Sequence, residues 1–188
     1  LHNFTNDSAY LGYMSRPQSQ AIMLKMFENT PSDTQPGGPF SYSNTNYVLL
    51  GYMIESLRKK TYGEVLQEKI AGPLKLNNTY FGSTPSPPEA MSYRFEKDKW
   101  KIEATTDMSI PHGAGAIVST PHELNIFIKA LFQGTLISKK SVEAMKPKGK
   151  EIYGLGLLKF TFGKSIGLGH NGSIDGFASS LAYFPEKD

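Results

Sequence analysis

Phe40-Ser-Tyr-Ser-Asn-Thr-Asn-Tyr-Val-Leu-Leu-Gly51 sets a small polar triplet, Tyr42-Ser43-Asn44, directly ahead of an apolar run. Tyr47, Leu50, Ile54 and Leu57 recur at helical spacing, so the run is read as a helix reaching about Lys60 with those four side chains on its buried face. A phenol and a carboxamide at such a doorway have a plain structural use. Asn44 serves as the N-cap, its side-chain oxygen accepting from the open N–H groups of the first turn, and Tyr42 packs as an amphipathic aromatic. Tyr-x-Asn is a short pattern, and alone it assigns nothing more.

Working outward, other helix starts are legible. Ser15-Arg-Pro-Gln18 has the form of a capping box with proline in the first turn, and Ile22, Met23, Met26 and Phe27 give an amphipathic helix ending near Asn29. The opening Leu1 to Asp7 has neither helix nor strand pattern. Thr61-Tyr-Gly-Glu64 is a second box, followed by Val65, Leu66 and Ile70 and by Gly72-Pro73 as a stop. Thr120-Pro-His-Glu123 is a third, with Leu124, Phe127, Ile128 and Leu131 behind it and Gly134 beyond; Ser138 caps a short helix through Met145. These cap residues, and His122 with them, are given structural roles only. Ser83-Thr-Pro-Ser-Pro-Pro88 reads as a loop, and Ser92-Tyr-Arg-Phe95 with Trp100-Lys-Ile102 as a hairpin with a charged tip. After Gly149 the period changes. Tyr153 to Phe162, Ile166 to His170 and Phe177 to Phe184 are aromatic and aliphatic runs separated by glycine turns, as in an antiparallel meander. Helices first and sheet last is an α+β order: a helical lobe over 1–150 carrying Tyr-x-Asn, then antiparallel strands over 151–188 carrying His-x-Gly.

Composition narrows the partners. Net charge is +3, from 20 basic and 17 acidic residues scattered along the chain, which gives no cationic face for nucleic acid. There are no cysteines, and His2, His112, His122 and His170 include no pair at helical ligand spacing, so no metal is expected. No apolar run approaches the roughly 20 residues of a membrane span, so no transmembrane segment is expected.

Three blocks, taken together and in order, carry a resemblance: Phe40 to Gly51, Gly113-Ala-Gly-Ala-Ile-Val-Ser-Thr-Pro-His-Glu-Leu124, and Ile166-Gly-Leu-Gly-His-Asn-Gly-Ser173. Over nearly its whole length the chain resembles the penicillin-recognising serine hydrolases, the class C β-lactamase, D-Ala-D-Ala carboxypeptidase and esterase family. The resemblance implies a β-lactamase/transpeptidase-like fold, here truncated, that cleaves an amide or ester through an acyl-enzyme. It gives Tyr42 a place in proton transfer, and Asn44, His170 and Gly172 places in substrate binding. His170-Asn171-Gly172 stands where the family has Lys-Thr-Gly or His-x-Gly, and its histidine leans toward the peptidase and esterase branches. The backbone N–H of Ser173 falls to the oxyanion, and Tyr42 and His170 are expected to share one cleft. Implied too are no cofactor, a small-molecule or peptide substrate, and a place in the cell envelope or outside the cell.

The family's nucleophile, the serine of a Ser-x-x-Lys ahead of Tyr-x-Asn, has no match. Ser8, Ser15, Ser19, Ser32 and Ser41 are followed three residues on by Leu11, Gln18, Ile22, Gln35 and Asn44. Ser56-Leu-Arg-Lys59 fits the letters but follows Tyr42, roughly 20 Å along the same helix at ~1.5 Å per residue, and is read as a decoy. The expectation is therefore a fragment of a serine hydrolase, inactive alone, with Tyr42 a neutral phenol for want of the lysine that would lower its pKa. The alternative is a pseudoenzyme or ligand-binding module that kept the pocket without the chemistry. Self-association is expected as well, through open strand edges and uncovered Leu157, Phe160, Leu181 and Tyr183.

Overall fold

The structure, a computed structural model, describes residues 1–82 and 90–187, so the loop expected at 83–88 lies outside the described residues. The elements run α1 (Tyr10–Tyr13), α2 (Gln20–Glu28), α3 (Asn44–Arg58), α4 (Tyr62–Leu66), a π turn (Gln67–Ala71), α5 (Gly72–Leu74), β1 (Tyr80–Phe81), β2 (Tyr93–Glu96), β3 (Lys99–Ile102) and β4 (Ile117–Val118). They continue with α6 (Pro121–Gln133), α7 (Lys139–Met145), β5 (Leu158–Phe162), β6 (Ser165–Ile174) and β7 (Phe177–Tyr183). The order is α+β. Contacts group the chain into two compact units, each described by itself: Leu1–Leu66, Tyr80–Val118 and Ile174–Gly176 in the first, and Gln67–Thr79, Ser119–Ser173 and Phe177–Asp188 in the second.

In the first unit α3 runs through the core. Met23 of α2, Val48 and Tyr52 of α3, Phe4 and Ile110 form one buried cluster, with Tyr10, Phe27 and Leu49 packed around it. Burying a side chain such as Met23 or Val48 contributes about 1.5–3 kcal/mol. The buried face of α3 is not the expected one. Thr45, Val48, Gly51 and Tyr52 point inward, whereas Leu50 and Leu57 are 49% and 79% exposed and Tyr47 and Ile54 are intermediate. This helix is apolar on more than one side, so periodicity admits two stripes, and backbone contact chooses between them. A Cβ on Gly51 would lie 2.4 Å from His112 Nδ1, and one on Gly113 would lie 2.6 Å from the carbonyl oxygen of Tyr47. Glycine at both positions lets α3 and the 3-10 turn His112–Ala114 meet main chain to main chain.

Local caps mostly form where the sequence places them. Thr61 N donates to Glu64 Oε2 at 2.7 Å and Glu64 N returns a bond to Thr61 Oγ1 at 3.3 Å, the reciprocal box at the start of α4. The box at Ser15 does not form. Gln18 N donates to Ser109 Oγ at 2.9 Å, and α2 starts later, capped by Ser19, whose Oγ accepts from Ile22 N at 3.3 Å. The hairpin of β2 and β3 is antiparallel, pairs Phe95 with Trp100, and turns at Lys97 and Asp98, both with positive φ.

In the second unit Thr120 and Ser138 cap α6 and α7 as expected, and Gly134 closes α6 at φ 82°. Gly72-Pro73 does not stop its helix. The preceding turn widens to π geometry, which makes room for the proline ring, and the helix ends at Lys75 in the left-handed conformation. The sheet has the order β5-β6-β7. Residues 153–157 lie outside it, apart from a bridge between Tyr153 and Leu158. Leu181 and Tyr183 are not uncovered: they pack on the buried cluster of Ile128, Leu131 and Val142, and Tyr183 stacks on Phe132 at 4.6 Å. Leu157 is buried and Phe160 is intermediate; the exposed apolar side chains of these strands are Phe162, Ile166 and Phe177.

Candidate functional site

The Tyr42–Asn44 segment sits at the entrance to α3, within the first unit. Tyr42 is half-exposed and stacks on Tyr47, with ring centroids 5.7 Å apart. Burial raises its pKa above the ordinary 10.0, and Tyr47 adds to the rise, so the phenol carries its proton at neutral pH. Ser43, not Asn44, is the N-cap residue, and its hydroxyl does not cap: it donates to the His2 carbonyl at 3.0 Å. The open N–H of Asn44 donates instead to Asn3 Oδ1 at 3.0 Å, and the Asn44 carboxamide donates to Thr5 Oγ1 at 3.1 Å. Thr45, fully buried, donates to the His2 carbonyl at 2.7 Å and accepts from Phe4 N at 3.2 Å. The segment read as patternless at the start of the sequence is thus the splint of this helix. Asn3 and Thr5 were missed as determinants because their partners lie about 40 positions away.

His170, Gly172 and Ser173 lie on β6 in the second unit. The strand continues through them to Ile174, so His170 is inside the strand and only half-buried. Tyr153 OH is 2.9 Å from His170 Nε2, and Nδ1 donates to the Asn171 carbonyl at 2.5 Å. With Nδ1 as the donor, Nε2 of a neutral ring accepts from the tyrosine. A Cβ on Gly172 would lie 2.5 Å from Ser179 Oγ on β7, so this glycine makes room for a neighbouring hydroxyl. Gly172 and Ser173 are exposed. Tyr42 and Asn44 are thus brought together at one helix start, and His170, Gly172 and Ser173 along one strand. Tyr153 was missed as a site residue; nothing in its sequence surroundings marks it.

Ser56 and Lys59 do not form a Ser-x-x-Lys site. Ser56 is exposed in the last turns of α3, and Lys59 is already in the left-handed conformation beyond the helix end, off the regular face that the motif requires. Elsewhere in the first unit His112 is buried among Tyr52, Tyr62 and Phe81 at 4.7, 5.3 and 5.5 Å, with φ 39°. Its Nε2 is 3.4 Å from Glu55 Oε1, and among the described residues Nδ1 has no hydrogen-bond partner. Burial lowers its pKa against the opposing pull of Glu55. In the second unit the box expected at Thr120 is only half made: Glu123 N donates to Thr120 Oγ1, but the buried Glu123 carboxylate does not return to Thr120 and accepts instead from Asn78 N, Asn78 Nδ2 and Thr79 Oγ1. Among the described residues no cluster fit for a metal ion is present, and no helix is long and apolar enough to cross a membrane.

The helical portion and the antiparallel sheet after it match proteins of the β-lactamase/transpeptidase-like fold. The chain belongs to the Beta-lactamase family, whose sequence model matches residues 4–188. It is 30% identical over 137 residues to PbpX of Bacillus subtilis (strain 168), a protein named for penicillin binding; the match covers 71% of this chain and 35% of PbpX. It is 36% identical over 64 residues to an Escherichia coli (strain K12) protein named as a D-alanyl-D-alanine carboxypeptidase, covering 34% of this chain and 15% of that one. Among solved structures it matches a D-stereospecific amidohydrolase from Streptomyces sp. with TM-score 0.81 and 27% identity, over 94% of this chain and 58% of that one. The chain spans less than two thirds of the length of each of these relatives.

Proposed function

We propose that these residues form the Tyr-x-Asn and His-x-Gly part of a serine hydrolase that opens an amide or ester bond through an acyl-enzyme. The observation that carries the reading is Tyr42: a protonated phenol, stacked on Tyr47, at the mouth of a helix whose first turn is fixed by non-local hydrogen bonds. In this reading the serine of a Ser-x-x-Lys outside residues 1–188 attacks the carbonyl carbon. Its proton passes by way of lysine and Tyr42 to the leaving amine or alkoxide. The N–H of Ser173 and a second backbone N–H hold the oxyanion, and Asn44, His170 and Gly172 bind the substrate. Water then attacks the acyl ester, releasing the acid and restoring the serine. The scheme needs no cofactor.

The relatives named for D-alanyl-D-alanine cleavage and D-stereospecific hydrolysis make a D-configured amide or peptide the first substrate to try. The expected place of action is the cell envelope or outside the cell. Self-association of the chain is part of the proposal, now by way of the exposed Phe162, Ile166 and Phe177. The test is turnover of a D-amino-acid amide, a D-Ala-D-Ala peptide, p-nitrophenyl acetate and a chromogenic cephalosporin by the full reading frame that contains these residues. Hydrolysis of at least one, lowered roughly 100-fold or more in kcat by Tyr42→Phe, is the expected result. Binding with no turnover of any of the four would favour a pseudoenzyme or ligand-binding module instead.

A further inference from the structure

The bonds that hold Asn44 lead back to a single side chain. The arm of residues 2–5 takes up Ser43 Oγ, Asn44 N, Asn44 Nδ2 and Thr45 Oγ1 and gives Phe4 N to Thr45, all between 2.7 and 3.2 Å. The ring of His2 ties this arm down at both nitrogens. Nδ1 is 2.6 Å from Asp33 Oδ1, and Nε2 is 2.8 Å from Asp7 Oδ1. A carboxylate only accepts, so both bonds require an N–H on each ring nitrogen, which is the imidazolium form. A neutral imidazole keeps one bond and turns a lone pair toward the other carboxylate.

We propose that the His2 imidazolium, bridging Asp7 and Asp33, is a proton-dependent clamp that positions the Tyr42–Asn44 site. The proposal rests on the reading of Tyr42 and Asn44 as site residues. The charged and titratable groups around the ring are few. Asp7 and Asp33 face it. The Tyr13 phenol feels Asp7, but burial pushes it up to about 12 and it stays neutral. From α2 the neighbouring side chains are Met26 and Phe27. Hydrogen bonding to Asp33, then to Asp7, raises His2 above its ordinary 6.5. The sign follows: the clamp is complete below pH 6.5 and opens as pH rises through the raised value. His2 is thus a positioning residue: its arm holds Asn44 through Asn3 and Thr5, and the flanking Ser43 and Thr45 through the His2 carbonyl and Phe4.

The test is NMR of the chain as it stands, following the His2 ring resonances together with exchange of the two hydrogen-bonded amides at Asn44 and Phe4 from pH 5 to 9, corrected for intrinsic exchange. Protection at these two amides should fall on the order of 10-fold in step with the His2 titration, while amides at the middle of α3 keep theirs. In His2→Gln it should be low and independent of pH. Asp33→Asn, which keeps the arm's other bonds, should bring the His2 pKa down toward 6.5 and move the exchange transition with it. A flat exchange profile across the His2 titration, or a transition that stays put in Asp33→Asn, overturns the clamp. None of these readouts is catalytic, so failure of the hydrolase reading would show as absent turnover with the exchange transition intact.

Discussion

The two parts of the candidate site are held in different ways. At the start of α3, Ser43, Asn44 and Thr45 receive their bonds from residues 2–5, about 40 positions earlier, and Thr45 is fully buried. On β6 the support is short-range: the strand continues through His170, whose ring is bonded to Tyr153, 17 positions earlier, and to the carbonyl of the next residue. A helix start leaves N–H groups that something must satisfy, whereas a strand supplies its partners by pairing. The tyrosine side should therefore be the more sensitive to distant substitutions, and the histidine side the more tolerant.

Substitutions can break that contrast, and their expected effects descend in size. Gly113→Ala should be the most damaging, because its Cβ meets the Tyr47 carbonyl oxygen at 2.6 Å and α3 must move as a body. A loss of about 3 kcal/mol in urea unfolding is expected; a loss below 0.5 kcal/mol would mean that the helix is not seated on this turn. Thr45→Val keeps the shape but strips the Phe4 N–H and the His2 carbonyl of a buried partner, for about 2 kcal/mol. Circular dichroism melts should show that loss, with faster exchange at Asn44. Tyr153→Phe removes the hydroxyl at His170 Nε2 and should cost about 1 kcal/mol or less, while changing the tautomer signature of the His170 ring in nitrogen NMR. A larger stability loss there than in Thr45→Val would invert the comparison.

The pH dependence sharpens it further, because His112 and His2 have opposite signs. His112 is lowered by burial, so as pH falls below its unfolded value of 6.5 the unfolded chain takes up a proton that the fold resists, and stability declines. Urea midpoints measured between pH 5 and 6.5 should rise with pH, and His112→Gln should flatten that slope, whereas above 6.5 the raised His2 works in the opposite direction. An unchanged slope in that variant would assign the dependence to other groups.

Features whose partners lie within a few residues were legible in the sequence: the box at Thr61, the caps at Thr120 and Ser138, the turn at Lys97 and Asp98, and the strand meander. Features decided by distant contact were not. The buried face of α3 is chosen by the meeting of Gly51 with Gly113, the cap of α3 arrives from Asn3, the box at Ser15 loses Gln18 to Ser109, and Leu181 and Tyr183 find cover on α6. The candidate site divides along the same line. Tyr42, Asn44, His170, Gly172 and Ser173 come from motifs; the shells that hold them, Asn3 with Thr5 and Tyr153, depend on the fold.

The claim at the centre of this account is that Tyr42 serves a serine nucleophile which residues 1–188 do not contain. Intact-mass and peptide-level mass spectrometry after incubation with a β-lactam tests it most directly, on this chain and on the full reading frame side by side. The expected result is no adduct on residues 1–188 alone, and on the full frame a single covalent acyl adduct at a serine followed three positions later by lysine, upstream of Tyr42. An acyl adduct on Ser56, or on any other serine within these 188 residues, would contradict it.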